Sequence, residues 1–376
     1  MLPRISSNVR ALRAKLGFQQ ARWATTHATE IFHPPPPEKV MPPRHPRHIF
    51  KLSDLKAEEI DSILKCALDL KKDPTLHSDA LNRRTAVIVL DRPSIRTRLS
   101  FEVALVQLGG NGTTYRTWDL PNDKHTRTLS EAGIVFGTYA DMIVSGMENQ
   151  IGVEALSKHS RVPIINAEDT VGNPCQALTD LMTIFERKGD LSALKIAYLG
   201  DLRRKLALDL MRAASMMGMK LAAANLMNVT VPQTLLDALE TEIPELSNGG
   251  PGEAYIVDDA LKAVEDADII YTDAWMSFDS SESTDGHFNE PVMNLQTTEA
   301  MLSRAGSNAM FLHCLPCSGQ TCEVAAAHIE GNESIVFDQT HNRLHIQKAL
   351  LLHVSHYGTF PPHEQSKQKP VTTIAG

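Results

Sequence analysis

Short, apolar, β-branched runs alternate with helix-like stretches along most of the chain, and they do so in two series. In the first, Thr85–Leu90, Met142–Val144 and Val162–Ile165 read as strands. In the second, Lys195–Leu199, Leu221–Ala224, Asp268–Tyr271, Met310–Leu312 and Ser334–Phe337 read the same way. Helices fall between them: one capped by Ser53-Asp54 and ending near Asp73-Pro74, one over Arg98–Leu108 stopped by Gly109-Gly110, and one over Pro174–Arg187 closed by Gly189. Another ends at Gly218, and a last one covers Arg343–Tyr357. Strands that are apolar on both faces belong to parallel sheets covered by helices on each side. The expected fold class is therefore α/β, with two domains that meet near residues 187–194, each a parallel sheet flanked by helices. A chain of 376 residues is long enough for two such cores.

The N-terminus reads differently. Arg4, Arg10, Arg13, Lys15 and Arg22 all precede the first acid, Glu30, and Leu2, Ile5, Val9, Leu12 and Leu16 fall near helical spacing. Basic, hydroxylated and free of acids before Glu30, residues 1–30 have the pattern of a mitochondrial transit peptide, which predicts a matrix location. The prolines at 34–37, 42–43 and 46 make residues 31–47 an extended linker. Residues 359–376 are polar and predict a disordered tail.

Charge and hydropathy exclude some partners. The net charge of −8 argues against nucleic acid, which is held mainly by Lys and Arg excess. No run approaches the ~18–20 apolar residues that span a bilayer. Five cysteines, an odd number in a long chain, do not make a secreted disulfide framework. Cys314-x-x-Cys317 alone is a weak redox signal, and Gly200-Asp201 lacks the Gly-x-Gly-x-x-Gly of a dinucleotide site. His313 reads as a packed structural histidine. Met211, Met216, Met217 and Met219 read as core filler.

The stretch that carries chemistry follows the first strand: Asp91-Arg92-Pro93-Ser94-Ile95-Arg96-Thr97-Arg98, opening a helix. A helix N-terminus offers unpaired N–H groups and a positive dipole end, Ser94 and Thr97 add hydroxyls, and Arg96 can grip phosphate oxygens in a fork. A capped helix with solvated arginines is the plainer alternative. Ser-x-Arg-Thr-Arg after a strand resembles the carbamoyl-phosphate loop of the aspartate/ornithine carbamoyltransferase family. The resemblance extends in order through Phe311-Leu312-His313-Cys314-Leu315-Pro316, Asp273-Ala274-Trp275-Met276-Ser277 and Asn342-Arg343. It covers roughly residues 48–357.

That resemblance implies a domain over 48–187 that binds carbamoyl phosphate and one over 188–342 that binds the amine. A C-terminal helix over 343–358 would return to the first domain. It implies that Ser94, Ile95 (through its N–H), Arg96 and Thr97 hold phosphate, and that Asn173, Gln176 and Arg343 attend the carbamoyl end. Arg98 braces the loop. Arg204, Asp273, Ser277, Cys314 and Leu315 would face the amine, with Arg96, Cys314 and Arg343 as the catalytic set. No metal or organic cofactor is implied, and the expected assembly is a homotrimer acting on small molecules, with ornithine to citrulline as the default reaction.

The chain departs from the family pattern at the carbamoyl oxygen. Gly146 stands where an Arg is usual, and Asn173 where a His is usual. Losing one donor to a developing oxyanion costs ~3 kcal/mol, about 10²–10³ in rate. Arg203 and Arg204 are candidates to fill in. Arg204 replaces a neutral Asn, and would repel a cationic acceptor and suit an acidic one. Cys317, Phe278-Asp279, Lys124 and Arg127 are further departures. These changes keep open a paralogue with a changed acceptor or donor, and a catalytically weak homologue with a regulatory or assembly role.

Overall fold

The computed structural model describes residues 46–91, 94–117, 126–147, 150–168, 172–225, 229–273, 298–314 and 334–355. The transit-peptide segment, most of the linker and the tail lie outside them, as do Ser277, Leu315, Cys317, Cys322, Lys124 and the side chain of Arg127.

The first lobe holds β1 (Thr85–Leu90), β2 (Asn111–Arg116), β3 (Met142–Gly146) and β4 (Ile164–Asn166). They form an all-parallel sheet in the order β2-β1-β3-β4. Its helices are α1 (Ala57–Lys72), α2 (Ile95–Gln107), α3 (Thr126–Tyr139), α4 (Gln150–Ser157) and α5 (Pro174–Lys188). The second lobe holds β5 (Lys195–Gly200), β6 (Lys220–Asn225), β7 (Glu253–Val257), β8 (Ile269–Thr272) and β9 (Met310–His313), parallel in the order β7-β6-β5-β8-β9. Its helices are α6 (Lys205–Met216), α7 (Gln233–Glu240), α8 (Glu242–Leu246), α9 (Ala260–Val264) and α10 (Glu299–Arg304). A long helix, α11 (Val336–Ser355), packs back on α1, α2 and α5 of the first lobe. No helix among the described residues is long and apolar enough to cross a membrane.

The strands form where the sequence is apolar on both faces: Ala86–Leu90 is buried throughout, as is Ile196–Gly200. Helix α1 buries Ile60, Ile63, Leu64, Ala67 and Leu70, an i, i+3, i+4 stripe in which each large aliphatic side chain contributes about 1.5–3 kcal/mol. One continuous core runs through both lobes, including Ile88, Leu181, Tyr198, Leu312 and Leu350. Met211 and Met219 are fully buried in it, and Met216 and Met217 pack against it.

Several boundaries differ from the sequence expectation. Ser53-Asp54 does not cap α1. These residues belong to a 3-10 turn, where the Asp54 carboxylate accepts from the Phe50 and Lys51 amides, and α1 begins three residues later. Helix α2 begins at Ile95 rather than Arg98, because the Ser94 hydroxyl caps it by accepting from Thr97 N. Ser334–Phe337 is not a strand. Only Ser334 bridges to Phe311, and Val336 already starts α11, so Arg343 lies inside that helix and not at its opening. Two strands escaped the sequence reading. Both are sheet edges: β2 is polar and largely exposed, and β7 (Glu-Ala-Tyr-Ile-Val) is apolar in sequence but has no fully buried residue.

A buried charge cluster joins the lobes away from the strand ends. Asp209 on α6 accepts from Leu52 N (3.3 Å) and Asn173 N (2.5 Å) of the first lobe and pairs with Arg212 (2.9 Å). Arg212 also pairs with Glu242, which binds Lys51 Nζ and Ser53 Oγ, each at 2.9 Å. Burial raises the Asp209 pKa despite Arg212. The Glu242 carboxyl sits well below its ordinary value, at about 2: burial opposes ionisation, but hydrogen bonds from Arg212 and Lys51 outweigh it.

Candidate active site

In open parallel sheets, ligands bind outside the carboxyl ends of the strands where strand order reverses. In the first lobe that point lies between β1 and β3. Ser94–Thr97 follow β1, and Gly146 ends β3. In the second lobe it lies between β5 and β8, with Arg204 following the first and Asp273 the second. Both lobes thus direct their chemistry-bearing residues to equivalent places.

Arg343, on α11, joins the donor half. Its Nη1 donates to Gln176 Oε1 at 2.6 Å and its Nη2 to Thr97 Oγ1 at 3.2 Å. Its Nε is buried with no hydrogen-bond partner among the described residues. Burial pulls the guanidinium pKa below its ordinary value, and Arg96 nearby adds to the effect. Two guanidinium groups beside a helix N-terminus make an anion the natural complement of this corner. Ser94 donates to Thr97 Oγ1 at 2.9 Å, so the two hydroxyls and Arg343 form one chain.

Arg96 spans to the other lobe, its Nη1 donating to the Cys314 carbonyl oxygen at 2.5 Å. Around it lies a cavity of about 340 Å³, walled by Arg96, Gln176, Cys314, Gln339 and Arg343 with an apolar side that includes Leu99. Ile95 is 80% exposed, and its side chain adds to that apolar wall. Arg98 pairs with Glu102 one turn along its own helix, 2.9 Å away.

Gln176 is held at both ends. Its Nε2 donates to Asp180 Oδ1 at 2.8 Å, the residue four positions on and therefore on the same helix face. Asp180 also accepts from Gln339 Nε2 (2.5 Å), and Gln339 lies within reach of the Tyr271 hydroxyl at 3.4 Å. Burial pushes the Asp180 carboxyl up to about 7, against the opposing pull of the Gln339 and Gln176 hydrogen bonds and of Arg343. The sequence reading missed Asp180 and Gln339. The available signal was spacing: each lies four residues from a site residue on its helix, Gln176 and Arg343 respectively.

Asn173 caps α5 through Oδ1, which accepts from Gln176 N at 3.1 Å, and this leaves its amide nitrogen as a neutral donor. Gly146 supplies no side chain. A Cβ there would approach Leu90 Cδ2 at 2.6 Å, the end of a flexible side chain. Both candidate replacements are engaged by acids of their own lobe. Arg203 is committed to Asp201 (2.6 Å), and Arg204 Nε donates to Asp273 Oδ2 at 2.8 Å. Asp273 also accepts from Tyr198 OH (3.3 Å) and Cys314 Sγ (2.6 Å). His313 is buried, with Nδ1 2.9 Å from Thr272 Oγ1. Burial pushes the Cys66 and Cys175 thiols up to about 12, which makes both inert at neutral pH. Among the described residues, no group of three His, Cys, Asp or Glu side chains is placed to hold a metal.

Comparisons with known proteins agree with this arrangement. Residues 47–186 match the family model "Aspartate/ornithine carbamoyltransferase, carbamoyl-P binding domain", and residues 192–354 match "Aspartate/ornithine carbamoyltransferase, Asp/Orn binding domain". An ornithine carbamoyltransferase of Listeria monocytogenes is 34% identical over 305 residues, covering 81% of this chain and 94% of the relative. One from Methanococcus aeolicus is 32% identical over 314 residues, covering 82% and 99%. Among solved structures, the ornithine carbamoyltransferase of Pyrococcus furiosus superposes with a TM-score of 0.74 at 32% identity, covering 81% of this chain and 96% of that one. The mitochondrial enzyme of Coccidioides immitis gives 0.72 at 28%, covering 84% and 100%. A phosphate-type loop facing a glutamine–arginine pair, matched over both lobes, places this chain in the aspartate/ornithine carbamoyltransferase family, as a carbamoyltransferase.

Proposed function

We propose that this carbamoyltransferase moves the carbamoyl group of carbamoyl phosphate onto an amino-acid amine, with ornithine to citrulline, a step of arginine biosynthesis, as the default reaction. The observation that carries the reading is Arg343 reaching both Thr97 of the anion loop and Gln176. In this reading Ser94, the Ile95 N–H, Arg96 and Thr97 hold the phosphate, and Gln176 and Asn173 meet the carbamoyl group. The amine attacks from the side of Asp273 and Cys314, the carbon–oxygen bond to phosphate breaks, and Arg96 and Arg343 stabilise the departing charge. The test is incubation with carbamoyl phosphate and ornithine while phosphate and citrulline are measured. Phosphate release without a carbamoylated product would sink the proposal.

Gly146 and Asn173 favour a second reading, a weakened catalyst with a regulatory or assembly role. If the wild type turns nothing over, Gly146→Arg with Asn173→His is the next test: activity recovered by about 10²-fold or more marks an intact fold that lacks only its carbonyl donors, and continued silence favours the partner role. Assembly as a homotrimer is supported by the apolar side chains exposed on α2 (Ile95, Leu99, Val106) and α3 (Ile134, Val135, Tyr139). Delivery to the mitochondrial matrix is supported by the basic, acid-free N-terminal segment. Sedimentation and imaging of the tagged full chain test these two expectations.

A further inference from the structure

The acceptor side of the cleft has a charge arrangement that selects the amine. Asp273 follows β8 and has no exposed side-chain surface. Both of its oxygens are engaged: Oδ2 by Arg204 Nε and Tyr198 OH, Oδ1 by Cys314 Sγ. A ligand ammonium that sought this carboxylate would have to displace a cation tethered to the same chain, which competes at high effective concentration. The carboxylate is therefore a support for Arg204 more than a seat for a ligand.

Arg204 is placed to act in its stead. It precedes α6 beside the β5–β8 reversal, and its side chain is 28% exposed although its partner is fully buried. Only its Nε is spent, and its two terminal nitrogens have no hydrogen-bond partner among the described residues. A guanidinium anchored by Nε keeps its planar terminal pair for a carboxylate. The other acid in the local field, Glu168, acts on it at longer range.

Resting on the carbamoyl-transfer reading, we propose that Arg204 is a specificity-determining residue. The acceptor it selects bears an anionic group, a carboxylate beside an uncharged nitrogen, at the end remote from the attacking amine. A free zwitterionic head is accepted less well, and a cationic head is rejected.

Three probes share one reacting amine and differ in the charge of the head: Nα-acetylornithine (anionic), ornithine (zwitterionic) and 1,4-diaminobutane (cationic). Binding of each is measured by calorimetry to the full chain saturated with inorganic phosphate, and product formation is measured with carbamoyl phosphate. The wild type is expected to bind them in that order, with about tenfold or more at each step, the worth of one charge-assisted hydrogen bond. Arg204→Asn removes the preference for the anionic head. Arg204→Lys, which keeps the charge without the fork, retains the order with smaller steps and guards against misfolding of the first variant.

Equal or reversed affinities in the wild type overturn the proposal, as does an unchanged order in Arg204→Asn. The expected order without carbamoylated product from any probe defeats the transfer reading and leaves the role of Arg204 standing. Product from ornithine with the order reversed does the opposite.

Discussion

Asp180 is a buried carboxylate with no salt-bridge partner among the described residues, and replacing it by Asn isolates the consequence. The Asn retains an acceptor toward Gln176 and Gln339, so the contacts of 2.8 and 2.5 Å survive in neutral form. Its amide nitrogen falls where Oδ2 has no partner, a penalty of about 1–3 kcal/mol that is the same at every pH. The ionisation term is not constant. The carboxyl titrates near 3.8 when unfolded and at about 7 when folded. Between those values the folded chain keeps a proton that the unfolded chain has lost, so stability falls as pH rises through the window and the penalty is complete above about 7. Integrating from about pH 5 to about pH 8 gives a wild-type loss of about 2–3 kcal/mol that the Asn variant does not share. Thermal melts of both proteins at the two pH values measure it. The variant should gain on the wild type at the higher pH by about 2–4 °C for each kcal/mol. A melting difference that stays constant with pH would refute the reasoning, because the other titrating groups cancel between the two proteins.

Arg343→Met removes the group that bridges Gln176 and Thr97 and should lower kcat/KM for carbamoyl phosphate by about 10²-fold or more, read by phosphate release. Inorganic phosphate at about a hundred times its Kd should stabilise the wild type by about 2.7 kcal/mol, and Arg96→Ala should lose most of that gain in a thermal-shift titration. Gly172→Ala places a Cβ 2.5 Å from Asp209 Oδ2, so it should displace the carboxylate from Asn173 N and destabilise by about 1–3 kcal/mol in thermal melts.

How much of this was legible in the sequence depends on the kind of signal. The central strands were plain because burial on both faces demands unbroken apolar runs. The edge strand β2 was not, because its Asn-Gly-Thr-Thr-Tyr-Arg sequence faces solvent and resembles a loop; β7, Glu-Ala-Tyr-Ile-Val, carried an apolar signal but is short and only half buried at the sheet edge. Ser-Ile-Val-Phe at 334–337 looked like a strand because local β propensity was stronger than any helix-start signal, and packing of α11 against the first lobe overrode it. Ser94 and Thr97 were found through the loop motif, Gln176 and Arg343 only through the family resemblance, and the fold brings them together. The engagement of Arg203 with Asp201 and of Arg204 with Asp273 was hidden, since the second pair is 69 residues apart in the chain. Asp180 was hidden for a different reason: a polar residue in a helix reads as solvent-facing until the opposite helix is known.

The Asp209–Arg212–Glu242 cluster fixes which parts of the molecule are free to swing. A hinge turns about its best-anchored point, and here Leu52, Lys51 and Asn173 are fastened to α6 and α8 by bonds that involve fully or mostly buried charges. The glutamine end of the donor site, one turn from Asn173, is therefore the stationary jaw. Across the same cleft, Arg96 and the Cys314 carbonyl share one hydrogen bond that, among the described residues, no buried ion pair reinforces.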